Sequence, residues 1–244
     1  MTGSISATFR LAGRMALVPL ALGIGIGVAA FVPDIVDSSA AELLLPVVSS
    51  GFAWGLAALL AAAFANSRST AILSGVGVLW LATITYYSLI VFVSRRWYHG
   101  VDSFEGGRFG QWSGLVSVAR SAGVWLLASV CAGVLLGILA YAVRHGTARS
   151  GTISMGISFG LLAGRGVYHL FHITVLWVGP FDSFARGKLY LALIEVLLVV
   201  VSLAVVFWVR RKTTSPSLLA LILVPSVVAS AAAWYAIEMV RTVL

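Results

Sequence analysis

The sequence predicts an all-α integral membrane protein of seven transmembrane helices, N-terminus inside and C-terminus outside, containing a repeated helical hairpin. Three observations predict it. Of the 244 residues, 60% are hydrophobic and only 10% are charged, against roughly 25% charged in a soluble domain; the mean hydropathy is +1.04. Apolar runs long enough to cross a bilayer follow one another, with connections that are short apart from 94–120. A polar pattern also recurs: WYHGVDSFEGGR (97–108) and WVGPFDSFARGK (177–188) share W-x4-D-S-F-x-x-G-[RK] at an offset of 80 residues.

In order, the spans are expected at about 15–33, 43–65, 70–93, 121–143, 153–178, 189–209 and 217–240, forming a single polytopic domain in the cell membrane. The first is preceded by Arg10 and Arg14, as a signal peptide would be. Its apolar run is too long, and the Ser38-Ser39-Ala40 stretch too distant, for cleavage to be expected.

The loops orient the chain. With the N-terminus inside, Arg10, Arg14, Arg68, Arg144, Arg149, Arg210, Arg211 and Lys212 face inward. Arg95, Arg96, Arg108, Arg120, Arg186 and Lys188 then face outward, together with Asp34, Asp37, Glu42, Asp102, Glu105 and Asp182. The repeat agrees, because loops two helices apart lie on one side of the membrane; the unit is a helical hairpin. Asp37-Ser38 looks like a third, degraded copy.

A formal charge of +8 goes with a pI near 10.3, but the cations sit in short loops and not in one exposed patch, so nucleic acid is not an expected partner. The single cysteine, Cys131, excludes an intramolecular disulfide and a cysteine-based metal site.

The Asp-Ser pairs read first as helix N-caps, with Ser39-x-x-Glu42 and Asp102-x-x-Glu105 at capping-box spacing; a repeated outer ligand site is the alternative. Gly156, Gly160 and Gly164, Gly133 and Gly137, and Gly51 and Gly55 have the four-residue spacing of close helix contacts in lipid. Loop 94–120 sets Arg95, Arg96, Arg108 and Arg120 among Trp97, Tyr98, Phe104, Phe109 and Trp112, the composition of a membrane interface or of an anionic-lipid contact.

Span five carries an arginine and two histidines, in LLAGRGVYHLFHITVL (161–176). An arginine in mid-membrane is costly unless paired or hydrated, which makes Arg165 a candidate functional residue. At 1.5 Å per residue it lies about 18 Å from the inner end of span five. Glu195, on the descending span six, lies about 21 Å from the same edge. The two therefore match in depth. Glu238 falls near the level of His172, and Tyr86 and Tyr87 on span three reach a similar depth. Arg165, Tyr168, His169 and His172 share one helix face. The expectation is an outward-facing polar pocket ringed by Tyr86, Tyr87, Arg165, Tyr168, His169, His172, Glu195 and Glu238; the alternative is an Arg165–Glu195 ion pair that only fixes packing.

No cofactor is expected. A bis-histidine haem draws ligands from two helices, whereas only span five carries intramembrane histidines, and a retinal protein needs a lysine deep in its last span. His169-x-x-His172 lacks a clear third zinc ligand. SRRWYHGVD (94–102) has too short a spacing for a lipid-phosphatase motif.

At SSGFAWGLAALLAAAFA (49–65), TITYYSLI (83–90) and GLLAGRGVYHLFH (160–172) the chain resembles a group of uncharacterised actinobacterial multi-pass membrane proteins known only as a domain of unknown function. The resemblance covers about residues 45–180. It implies a multi-pass fold but no activity, and members often carry an acidic residue where Arg165 stands.

Three functions follow as expectations. The first is binding, and movement, of a small or lipid-like solute through the pocket. The second is a membrane-embedded enzyme acting on an apolar substrate such as an isoprenoid, with Glu195 or Glu238 as general acid and Trp54, Tyr86, Tyr87 and Trp234 lining a cation-stabilising cavity. The third is an accessory subunit of a membrane complex.

Overall fold

A computed structural model describes residues 3–36, 47–95, 97 and 108–243, with side chains placed for 17–36, 47–95, 97 and 112–239. Among the described residues it is all helical: α1 (Gly3–Phe31), α2 (Gly51–Ala63), α3 (Arg68–Leu89), α4 (Arg108–His145), α5 (Ala148–Phe171), α6 (Ser183–Arg210) and α7 (Pro216–Val243). Among the described residues five stretches are long and apolar enough to cross a membrane: Leu17–Asp34, Arg68–Ser94, Trp112–His145, Ser183–Arg210 and Pro216–Met239. That set marks a membrane protein. α2 is apolar but has only 13 residues, and α5 is not among the five.

One boundary differs from expectation. Residues 108–120, expected in a loop, are the first turns of the 38-residue α4. Gly110, Gly114, Ser113 and Arg120 lower the hydropathy there without breaking the helix. Hydropathy reports the lipid-compatible part of a helix, and backbone hydrogen bonding carries it further.

The chain divides into two compact units: Met1–Ser49 with Ala57–Ile138, and Ser50–Leu56 with Leu139–Leu244. In the first, α1 packs on α3, and Ala57, Ala61 and Val78 form a buried cluster against Leu22 and Ile26. α4 meets α3 where glycines face each other. A Cβ on Gly75 would stand 2.6 Å from the Gly133 carbonyl oxygen, and one on Gly137 2.7 Å from that of Ala71. Thr83 Oγ1 and Ser129 Oγ, 3.2 Å apart, and Trp80 Nε1 donating to the Leu126 carbonyl at 3.1 Å add polar links between these helices.

In the second unit α5 packs most extensively on α7, and also on α6. Thirteen of its 24 residues are buried. The glycine stripe explains the closeness. Gly156, Gly160 and Gly164 face Ile222, Ser226 and Ser230 of α7 in matching four-residue steps, with no room for a side chain at Gly160 or Gly164. Ser230 Oγ donates across the contact to the Leu161 carbonyl at 3.0 Å.

α3 and α5 are built alike locally. Ser67 caps α3 by accepting from Thr70 N, and Thr147 caps α5 by accepting from Ser150 N, both pairs 80 residues apart. Each helix ends in a five-residue π turn, Ile90–Ser94 and His172–Leu176, and each turn leads to the tryptophan of the repeated pattern. Asp182 caps α6, its Oδ1 accepting from Ala185 N at 2.9 Å, so in this copy the Asp-Ser pair is a helix start. Residues 98–107 and Asp37-Ser38, the other copies, lie outside the described residues, as does the Ser39-x-x-Glu42 box.

Candidate functional site

The charge on α5 meets its counter-charge on α6. Arg165 Nη1 donates to Glu195 Oε1 at 3.0 Å, the pairing that their matched depth predicts. Gly166 makes it possible. A Cβ there would come within 3.2 Å of Glu195 Cβ and 3.3 Å of the Ala192 carbonyl oxygen, so the bare backbone lets α6 approach beside Arg165. On its other side the guanidinium carbon lies 5.8 Å from the centre of the Trp234 ring of α7, a cation–π distance. Gly51, at the start of α2, leaves the space that Trp234 fills, since a Cβ there would be 3.2 Å from Trp234 Cζ2 and 3.9 Å from Arg165 Cδ.

The pair is unevenly placed. The Glu195 side chain is 4% exposed and that of Arg165 29%. Glu195 Oε2 is buried and has no hydrogen-bond partner among the described residues. Ser158 Oγ is in the same condition; it lies seven residues before Arg165 on α5, about 10 Å nearer the start of the helix on the same face.

Toward the end of α5 the face turns aromatic. Tyr168, buried, has ring centres of His169 at 5.0 Å, His172 at 5.9 Å and Tyr235 at 6.2 Å. The chain of rings continues from His172 to Trp177 at 6.2 Å and on to Phe184 at 6.0 Å, over which the Lys188 ammonium sits at 5.6 Å. Glu238 is half-buried on α7, within electrostatic reach of Tyr168. Arg165, Tyr168, His169, His172, Glu195 and Glu238 thus all belong to the second unit.

Tyr86 and Tyr87 belong to the first unit. Their rings meet edge to face at 5.3 Å, and the Tyr86 hydroxyl donates to Asp34 Oδ2 at 3.2 Å. They have a polar setting of their own, and the site described here is built without them.

No family model, curated protein or solved structure is similar enough to add to this. The chain matches none. The reading of the site rests on its chemistry.

Among the described residues no three His, Cys, Asp or Glu side chains converge as metal ligands would. What converges is a cation with unused N–H donors, a carboxylate with an unused oxygen, and aromatic faces. Tyr235 and Ser158 are additions that the sequence pattern does not single out. Ser158 does keep the seven-residue spacing to Arg165 and then to His172, and that spacing is the one signal for it.

Proposed function

We propose that the chain is a seven-span, N-in and C-out protein of the cell membrane whose second unit binds, and moves, a small or lipid-like solute at the Arg165–Glu195 pair. The observation that carries this is Glu195 Oε2. An ion pair kept only for packing recovers its desolvation cost by satisfying both carboxylate oxygens. Here one oxygen takes Arg165 and the other, buried, takes nothing among the described residues. A solute with an N–H or O–H donor completes the carboxylate, and an acceptor on the same solute meets the exposed side of Arg165. The rings of Tyr168, His172 and Tyr235 supply the apolar walls.

Support for a span beyond the five comes from α5. Its 24 residues rise about 36 Å, more than the roughly 30 Å of a bilayer core. Its polar groups are packed on α6 and α7, which suits a helix that crosses a membrane without facing lipid. The reading of a cavity that stabilises a carbocation has less behind it, because Arg165 lies over the Trp234 ring and would repel a second cation there.

The test uses the double variant Arg165→Leu/Glu195→Leu, since replacing a buried pair by apolar side chains commonly preserves folding. Purified protein is screened by thermal shift against amines, amino acids, polyols and polar lipids. A solute present at 100 times its Kd stabilises the native state by about 2.7 kcal/mol. Some solute is expected to stabilise the wild type and not the double variant, and to cross proteoliposomes only with the wild type. Equal stabilisation of both proteins by every solute that binds removes the pair from the function.

A further inference from the structure

We infer that the second unit carries a separate site, at the Arg210 end of α6, for the headgroup of an anionic phospholipid. A groove of about 550 Å³ opens there, lined by Arg144, Trp208, Arg210, Arg211, Lys212 and Thr213. It lies 15 residues along α6 from Glu195, about 22 Å away along the helix, and does not share a residue with the Arg165 site.

The turn after α6 fixes the backbone that carries the cations. Arg210 O accepts from Thr213 N at 2.9 Å, Thr214 N at 3.1 Å and Thr213 Oγ1 at 3.2 Å, which closes the helix end tightly around residues 210–213. Arg210 reaches the first turn of α5, its Nη2 lying 3.1 Å from where a Cβ on Gly151 would stand. Arg211 is held over the Trp208 ring at 5.8 Å.

Arg210, Arg211 and Lys212 have no acidic residue near them in the sequence. Between Glu105 and Asp182, and again between Glu195 and Glu238, the sequence contains no acidic residue. Three cations at the end of α6, Arg210, Arg211 and Lys212, therefore gather where the neighbouring sequence offers no carboxylate, and the favourable occupant is an anion from outside the chain. A phosphodiester suits them, because guanidinium groups donate to its oxygens in pairs and the ammonium adds a point charge.

The surface beside the groove selects the lipid form of that anion. Trp208 and Val209 are about two-thirds exposed, and Val205 and Val201 follow on α6 with about half of their surface open. A membrane-bound phospholipid can place its phosphate among the cations, its glycerol backbone beside Trp208 and its acyl chains along this valine stripe. Free phosphate would use only the first of these contacts. Tryptophan at the headgroup level and clustered basic residues at the end of a span are the general means by which proteins hold anionic lipid.

The experiment is a native mass-spectrometry titration of delipidated full-length protein in a neutral detergent, with phosphatidylglycerol and phosphatidylcholine of identical acyl chains. Phosphatidylglycerol is expected to bind preferentially. The variant Arg210→Gln/Arg211→Gln/Lys212→Gln should lose that preference by about a hundredfold, as removal of three surface cations implies, and millimolar inorganic phosphate should not displace the lipid. Equal retention of the two lipids, or an unchanged preference in the triple variant, overturns the proposal. Displacement of the lipid by inorganic phosphate overturns it in favour of a soluble anion, and displacement by polyglutamate does so in favour of an acidic protein segment. If the triple variant does not fold, Arg211→Gln alone is the test, with an expected loss of about fivefold.

Discussion

Arg165 and Glu195 differ in how much each depends on the other. Glu195 is enclosed, so Arg165→Gln strands a buried carboxylate without a cation and should cost about 3 kcal/mol or more. Arg165 is partly open and keeps the Trp234 face, so Glu195→Gln should cost less, about 1–2 kcal/mol. Thermal unfolding of the two variants in one detergent checks the order, and a larger loss in Glu195→Gln would contradict the burial on which it rests. The pairing itself was legible in the sequence, because helix rise per residue converts a position into a depth, and two opposite charges at equal depth on consecutive antiparallel helices find each other. Trp234 against Arg165 was not legible in that way. Ser226, Ser230 and Glu238 apart, the body of α7 is apolar around its circumference; hydropathy then sets little rotation about the helix axis, and the face that meets α5 emerges from the glycine and serine contacts.

Glycine carries different meanings along these helices. At Gly164 the backbone of α7 lies too close for any side chain, and Gly164→Val should separate α5 from α7 at a cost of about 1–3 kcal/mol. Gly25, inside α1, has nothing within 4 Å of where its Cβ would be, so Gly25→Ala should stabilise by up to about 1 kcal/mol through helix propensity alone. Circular dichroism melts of the pair distinguish a packing glycine from an idle one. The four-residue spacing exposes the first kind in sequence. The repeat is also an element-scale feature, and it shows what the copies do not share: the position 80 residues before Arg165 is Thr85. The charge at this position is a property of the second copy only, and the fold of the helix does not require it.

For the whole chain the proposed topology makes a labelling prediction. In a Cys131→Ser background, Val178→Cys, fully exposed after α5, should react with an impermeant maleimide on intact cells, and Ser215→Cys, between α6 and α7, only after permeabilisation. The reverse pattern would invert the orientation, and reaction of both from one side would deny that α6 crosses. Composition made the helical class plain, because a chain this apolar must satisfy its backbone internally. It did not reveal the division into two units. That division depends on which helix faces meet, and long apolar helices advertise no preferred face.

The sparing hydrophobicity of α5 bears on how the protein is made. In the proposed topology α5, with an arginine in its last third and rich in glycine, serine and threonine, would partition poorly from a translocon into lipid on its own, since an arginine within a span opposes insertion by up to about 2.5–3.5 kcal/mol. Its main partner, α7, is synthesised more than forty residues later. In that topology α5 would need shelter by the insertion machinery until α6 and α7 have arrived, and a chain truncated after residue 212 should leave it sensitive to protease while the full chain protects it. Membrane assembly of the second half would then be a post-translational event that the last helix completes.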